Sequence, residues 1–227
     1  MRNLLVVLVV VACVSASHGE VISAWDLGAG SGTNAAWTTW AELDASPLNA
    51  SKVSGPLTLT HSSGFFYNFV AMGGSGAPIE TGVPLLTAPT TVMRDGLNLG
   101  SSSEPIGYTI SGLTIGVEYA VQFTGMILGD GTANMNITQT GGASANLAAT
   151  APAMSHYDIY YSPQFTFTAT SDSTAFSLVT VGSTAGRAGV SGVIVAAIPE
   201  PASALMLGFG AIVGLTLHRV RRSAQRR

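Results

Sequence analysis

Residues Val117 to Phe123 alternate without a break: Val117, Tyr119, Val121 and Phe123 are large and apolar, and Glu118, Ala120 and Gln122 stand between them. A period of two belongs to a strand with one face against a core, because successive side chains point to opposite faces. The stretch Ile110-Ser111-Gly112-Leu113-Thr114-Ile115-Gly116 leads into it as a turn. Gln164 to Thr168 alternates in the same way, and Ala175 to Val181 follows as a third strand. These segments predict an interior built from Tyr119, Val121, Phe123, Phe165, Phe167, Phe176 and Leu178, with Glu118 turned to solvent.

Further strands are predicted at Val21–Asp26, Leu57–Thr60, Phe65–Phe69, Ile106–Ile110, Asn134–Thr138 and Val190–Ile198. Glycine-rich loops punctuate them at 28–32 and 73–76, and turn signals stand at Arg94-Asp95-Gly96 and Leu128-Gly129-Asp130-Gly131. Trp37 to Leu43 reads as a short helix; Pro84 to Arg94 is ambiguous. Many short strands without a long amphipathic helix imply an all-β fold, a single β-sandwich over 20–198. The run Gly-Leu-Thr-x-Gly-x-x-Tyr-x-Val-x-Phe at Gly112–Phe123 resembles strands of jelly-roll and galactose-binding-like modules, and of fibronectin-like sandwiches. That resemblance implies a secreted β-sandwich and names no ligand.

Between residues 20 and 198 only Lys52, Arg94 and Arg187 are cationic, against eleven carboxylates, a balance of −8 that the whole-chain value of −3 conceals. A domain this acidic has no electrostatic means of holding nucleic acid or anionic lipid. Cys13 is the single cysteine and lies ahead of the domain, so disulfides and thiol catalysis are excluded within it.

Both ends read as addresses. Met1-Arg2-Asn3 precedes an apolar stretch from Leu4 to Val14 and then small residues, the layout of a secretory signal peptide over 1–19. Cleavage after Ala16 and after Gly19 both fit, and Val10-Val11-Ala12-Cys13 also fits a relaxed lipobox. At the other end, Pro199-Glu200-Pro201 is followed by an uncharged run from Ala202 to Leu217 and by Arg219, Arg221, Arg222, Arg226 and Arg227. The two prolines keep Glu200 in an extended, accessible break. The run is about 24 Å long as a helix, short for a bilayer core, and arginine stems can bridge the difference. The arginines favour a cytoplasmic C-terminus. An ordinary tail anchor shares these properties. Motif, transmembrane helix and Arg-rich end in this order over 199–227 resemble the PEP-CTERM sorting signal of Gram-negative bacteria. The resemblance implies an inner-membrane precursor, processing near Glu200 by an exosortase, release to the cell surface or beyond, and a host that makes exopolysaccharide.

Catalytic signatures are missing from the sequence: no His-Glu-x-x-His, Gly-x-Ser-x-Gly, Walker loop or Gly-x-Gly-x-x-Gly occurs. The domain retains His61 and His156, the latter beside Ser155 and near Asp158, and adjacency in sequence does not make a triad. No cofactor is called for. Hard oxygen ligands at the Asp26 or Asp130 loops leave calcium as the one candidate ion; turn formation explains the same aspartates. Aromatic residues are the better lead. Tyr157, Tyr160 and Tyr161 crowd a loop-like segment with Asp158, where rings can stack on sugars and the carboxylate can accept a hydroxyl. Trp37 and Trp40 would share a helical face, and core packing accounts for them as well as for Trp25. The expectation is a non-enzymatic, exported protein associated with exopolysaccharide or extracellular matrix and binding glycan. A secreted polysaccharide hydrolase and a purely structural matrix component are the alternatives.

Overall fold

The computed structural model describes residues 19–27, 36–40, 49–63, 68–71, 78–80, 84–87, 95–98, 105–128, 132–142, 144–150, 158–181 and 187–199. One unit spans Val21–Ala197 and carries the architecture below. A second comprises Met1–Glu20 and Ile198–Arg227, and of its sorting motif only the exposed Pro199 is described. Glu200, Pro201, the arginines of the tail and the Leu4–Val14 stretch lie outside the described residues. No helix among the described residues is long and apolar enough to cross a membrane.

The described chain is all-β. Its strands are β1 (Glu20–Asp26), β2 (Thr38–Thr39), β3 (Ser51–Ser54), β4 (Leu57–Ser63), β5 (Asn68–Ala71), β6 (Pro78–Glu80), β7 (Asp95–Asn98) and β8 (Ile106–Ser111). There follow β9 (Glu118–Leu128), β10 (Thr132–Gln139), β11 (Ser144–Thr150), β12 (Asp158–Tyr161), β13 (Phe165–Thr168), β14 (Ser173–Val181) and β15 (Arg187–Ile198). One sheet has nine strands in the order β2-β1-β15-β9-β12-β6, with β13 also on β9, β7 on β15 and β5 on β7. The other has six in the order β11-β10-β14-β8-β4-β3.

The two sheets share one core. Trp25, Tyr119, Val121, Phe123, Phe165, Val193 and Val195 come from the larger sheet. Leu57, Leu59, Ile106, Tyr108, Ile110, Met135, Ile137, Phe176 and Leu178 come from the smaller. Phe123 meets Phe165 and Phe176 edge-on at 6.2 and 5.2 Å, and Phe165 meets Phe176 at 5.6 Å. Edge-to-face contact suits the ring quadrupoles, and each such pair adds about 1 kcal/mol to area burial. The expected interior set is therefore buried, with Phe167 half-buried.

Four local expectations change. Trp37–Leu43 is not helical where described: Thr38 and Thr39 run parallel to Trp25 and Asp26. Asp95 begins strand β7, so Arg94-Asp95-Gly96 is not a simple turn. The segment holding Asp158, Tyr160 and Tyr161 is a strand, antiparallel to β9 and parallel to β6, rather than a rim loop. Lastly, β9 is buried on both faces from Ala120 to Gly125. Gln122 is wholly buried; its Oε1 accepts from Leu85 N at 2.8 Å and its Nε2 donates to Ser162 O at 2.8 Å. Ser162 breaks the strand between β12 and β13, and its hydroxyl accepts from Phe123 N at 2.9 Å. A polar position in the alternation thus marks a second, hydrogen-bonded interior layer.

Candidate functional site

At β13 the sequence Phe165-Thr166-Phe167-Thr168 sends Phe165 into the core and leaves both threonines exposed. The strand is held by pairing with β9, Phe167 opposite Tyr119 and Thr168 opposite Glu118. The two rings lie 6.1 Å apart and tilted by 32°. Tyr119 is itself fixed, since its hydroxyl accepts from Thr114 N at 3.0 Å. The connection from β13 to β14 is pinned from the same side: Gly116 N donates to Ala169 O, Ala169 N to Val117 O and Leu113 N to Asp172 O, all within 2.9 Å.

Facing this connection is the tight turn between β10 and β11. Thr140 N donates to Ala175 O at 2.8 Å and Gly142 N to Gln139 O at 3.1 Å. Gln139 Nε2 donates to Thr174 Oγ1 at 3.1 Å, tying the turn to β14. A Cβ on Gly142 would meet Gln139 Oε1 at 2.6 Å, so only glycine lets that side chain lie where it does.

Between these parts opens a cleft of about 510 Å³. Its walls are Gln139, Thr140, Gly141 and Gly142 from the β10–β11 turn, Thr166 to Ser171 from β13 and its connection, Ser173 to Ala175 from β14, and Thr109 from β8. Eight of the fourteen described lining residues carry a hydroxyl, Phe167 is half-buried against the core at its edge, and none of these fourteen is ionisable. It is a half-open depression rather than an enclosed cavity. Chemically the cleft can donate and accept hydrogen bonds and cover an apolar ring face. Its described lining residues include no carboxylate, imidazole or thiol for proton transfer or nucleophilic attack.

The residues singled out from the sequence fall elsewhere. Tyr161 is only 4% exposed and belongs to the packed sheet. Asp158 and Tyr160 pair through their backbones with Ile127 and Gly125, while Tyr157, Ser155, His156 and Asp130 lie outside the described residues. Trp25, Trp37 and Trp40 are all buried, as core packing requires. Asp26 is also buried, and among the described residues no three His, Cys, Asp or Glu side chains gather to hold a metal ion. The cleft escaped sequence reasoning. Its one available signal was the density of hydroxyls from Thr166 to Thr174, broken only by Asp172 among charged residues.

Another buried group has no bearing on the cleft but does bear on stability. Tyr108 is fully buried, and its hydroxyl has no hydrogen-bond partner among the described residues. Burial pushes the phenol well above its ordinary pKa.

No family model matches the chain, and no curated protein matches it. Solved structures do. The extracellular domain of ANXUR1 from Arabidopsis thaliana is 10% identical with a TM-score of 0.42, covering 80% of this chain and 49% of that one. A CBM35 from Cellvibrio japonicus Abf62 is 12% identical with a TM-score of 0.34, covering 61% and 91%. An exo-β-1,3-galactanase from Phanerochaete chrysosporium is 13% identical with a TM-score of 0.31, covering 45% and 23%. The chain thus spans about half of the ANXUR1 domain and about a quarter of the galactanase.

Proposed function

We propose that this chain is an exported, non-enzymatic protein whose β-sandwich holds an uncharged polysaccharide at the cell surface or in the extracellular matrix. The observation that carries this reading is the cleft: eight of its fourteen described lining residues carry a hydroxyl, none of them is ionisable, and Phe167 lies among them. A sugar presents hydroxyls on its rim and an apolar face of C–H groups, and a ring with surrounding threonines and serines complements both. The described lining residues include no cation, which favours a neutral ligand over a phosphate or uronate. That three carbohydrate-directed proteins are among the similar structures, the CBM35, a CBM61 crystallised with β-1,4-galactotriose and the galactanase, accords with the proposal without carrying it.

The signal-peptide layout of residues 1–19 supports export, and the likeness of Pro199-Glu200-Pro201, the apolar run and the terminal arginines to a PEP-CTERM signal supports sorting. On this reading an exosortase and the inner membrane are partners of the precursor, and exopolysaccharide is the partner of the mature protein.

The test is electrophoresis of the domain, residues 20–198 within the full exported chain, through native gels containing galactan, mannan, xylan or β-glucan. Retardation by at least one polymer, reduced in Phe167→Ala and in Thr168→Val, is the expected result. Release of reducing sugar from a retarding polymer would favour a secreted hydrolase. Free migration through every gel would leave the structural matrix component.

A further inference from the structure

We propose that the outward face of β3, β4, β8 and β14 continues the cleft as a hydroxyl-bearing track, so that the site takes an internal stretch of an uncharged polysaccharide rather than a chain end. This rests on the reading of the cleft as a glycan site. The register of the smaller sheet aligns two rows across these strands. Ser51 stands opposite Thr60, Thr60 opposite Thr109 and Thr109 opposite Ala175. Beside it, Val53 stands opposite Thr58, Thr58 opposite Ser111 and Ser111 opposite Ser173.

Six of these eight positions carry a hydroxyl and none carries a charge. Lys52, the one charge on β3, has the opposite parity and pairs with Leu59. Ser51 Oγ and Thr60 Oγ1 share a hydrogen bond of 2.8 Å, and Val53 is 63% exposed. Serine and threonine are ordinary on an outward strand face, where β-branched residues pack well. One further observation separates this face from an ordinary one. Thr109, Ser173 and Ala175 belong at once to the rows and to the wall of the cleft. The cleft therefore opens directly onto the rows. Strands lie about 4.8 Å apart, so the rows run about 14 Å from β14 to β3. A ligand confined to the cleft would leave this surface unused. A chain passing through would lay its next sugar units along it, with hydroxyls meeting hydroxyls and C–H faces meeting Val53 and Ala175.

The experiment measures affinity for the retarding polymer among galactan, mannan, xylan and β-glucan, and for oligosaccharides of increasing length cut from it. The protein is compared as wild type, as Thr58→Val with Thr60→Val, and as Ser111→Ala, with melting temperature as the control for folding. Wild-type affinity should rise with oligosaccharide length. The double variant should bind the polymer about tenfold more weakly, two lost hydrogen bonds of ordinary worth, and bind the disaccharide unchanged. Ser111→Ala should show the same split to a smaller degree. Polymer affinity unchanged in both variants, or a wild type that binds disaccharide as tightly as polymer, would overturn the track and leave the cleft standing. A wild type retarded by none of the four polymers would remove the glycan reading and the track together.

Discussion

Trp25 on β1 donates its indole N–H to the carbonyl of Lys52 on β3 at 2.9 Å, joining the two sheets at their edge. Ser54, two residues on, completes the seam. Its hydroxyl donates to Ala24 O at 3.1 Å and accepts from Thr38 Oγ1 at 2.8 Å, while its carbonyl accepts from Ser23 Oγ at 2.6 Å. The β3–β4 turn then presses Gly55 against the backbone of Ile22, with φ of +56°. Any Cβ there would overlap the Ile22 carbonyl oxygen. Gly55→Ala should cost at least about 2 kcal/mol, from steric overlap and an unfavourable φ together. Urea unfolding checks this; a loss under about 0.5 kcal/mol would mean the turn moves away from β1 freely.

Tyr108→Phe should stabilise the domain by about 1 kcal/mol, because it removes a buried hydroxyl that has no partner among the described residues. The pH dependence follows from the raised phenol pKa. Below the unfolded value near 10 the group is neutral in both states and its contribution is constant. Above about pH 10 the unfolded chain releases its proton while the folded one keeps it, so stability falls as pH rises. Tyr108→Phe should flatten that alkaline decline, and thermal melts across pH 8 to 11 measure it. A variant less stable than wild type at neutral pH would show that the hydroxyl is satisfied.

Phe123→Ala should cost about 3–5 kcal/mol, since it empties the centre of the Phe123–Phe165–Phe176 cluster. The other face of β9 is not silent. Gln122→Ala should cost about 2 kcal/mol or more by leaving Leu85 N and Ser162 O without their partner. Glu118→Ala, at the half-buried start of the strand, should stay under about 0.5 kcal/mol. A negligible effect of Gln122→Ala in chemical denaturation would argue against the second interior layer.

Retention on neutral polysaccharide should hardly change from low to molar salt, because none of the described residues lining the cleft is ionisable. Column elution at stepped ionic strength tests this directly. Release by salt alone would point to a charged contact elsewhere on the acidic domain.

Intact mass of the protein from its native host should show loss of the residues through Ala16 or Gly19 and of the arginine-rich tail. Pro199→Ala with Pro201→Ala should leave full-length precursor in the inner membrane. A secreted form that still carries Arg219 to Arg227 would exclude sorting through this motif.

Alternation along the chain was enough to identify the strands at Val117–Phe123, Gln164–Thr168 and Ala175–Val181 and to choose their inward faces, because a strand's period of two is a local property. The charge balance and the single early cysteine were equally plain, being properties of composition. Tertiary structure alone decided what covers each face. Gln122 stands at a polar position of the alternation beside Phe123 and is buried. Tyr161 stands in a segment that does not alternate and still pairs as a strand, because β9 and β6 supply its backbone partners from elsewhere in the chain. Thr38 and Thr39 likewise extend a sheet because β1 offers them an edge. The cleft draws together β8, the β10–β11 turn, β13 and β14. No stretch of sequence announces such a site, since long-range pairing and not local pattern brings its walls together.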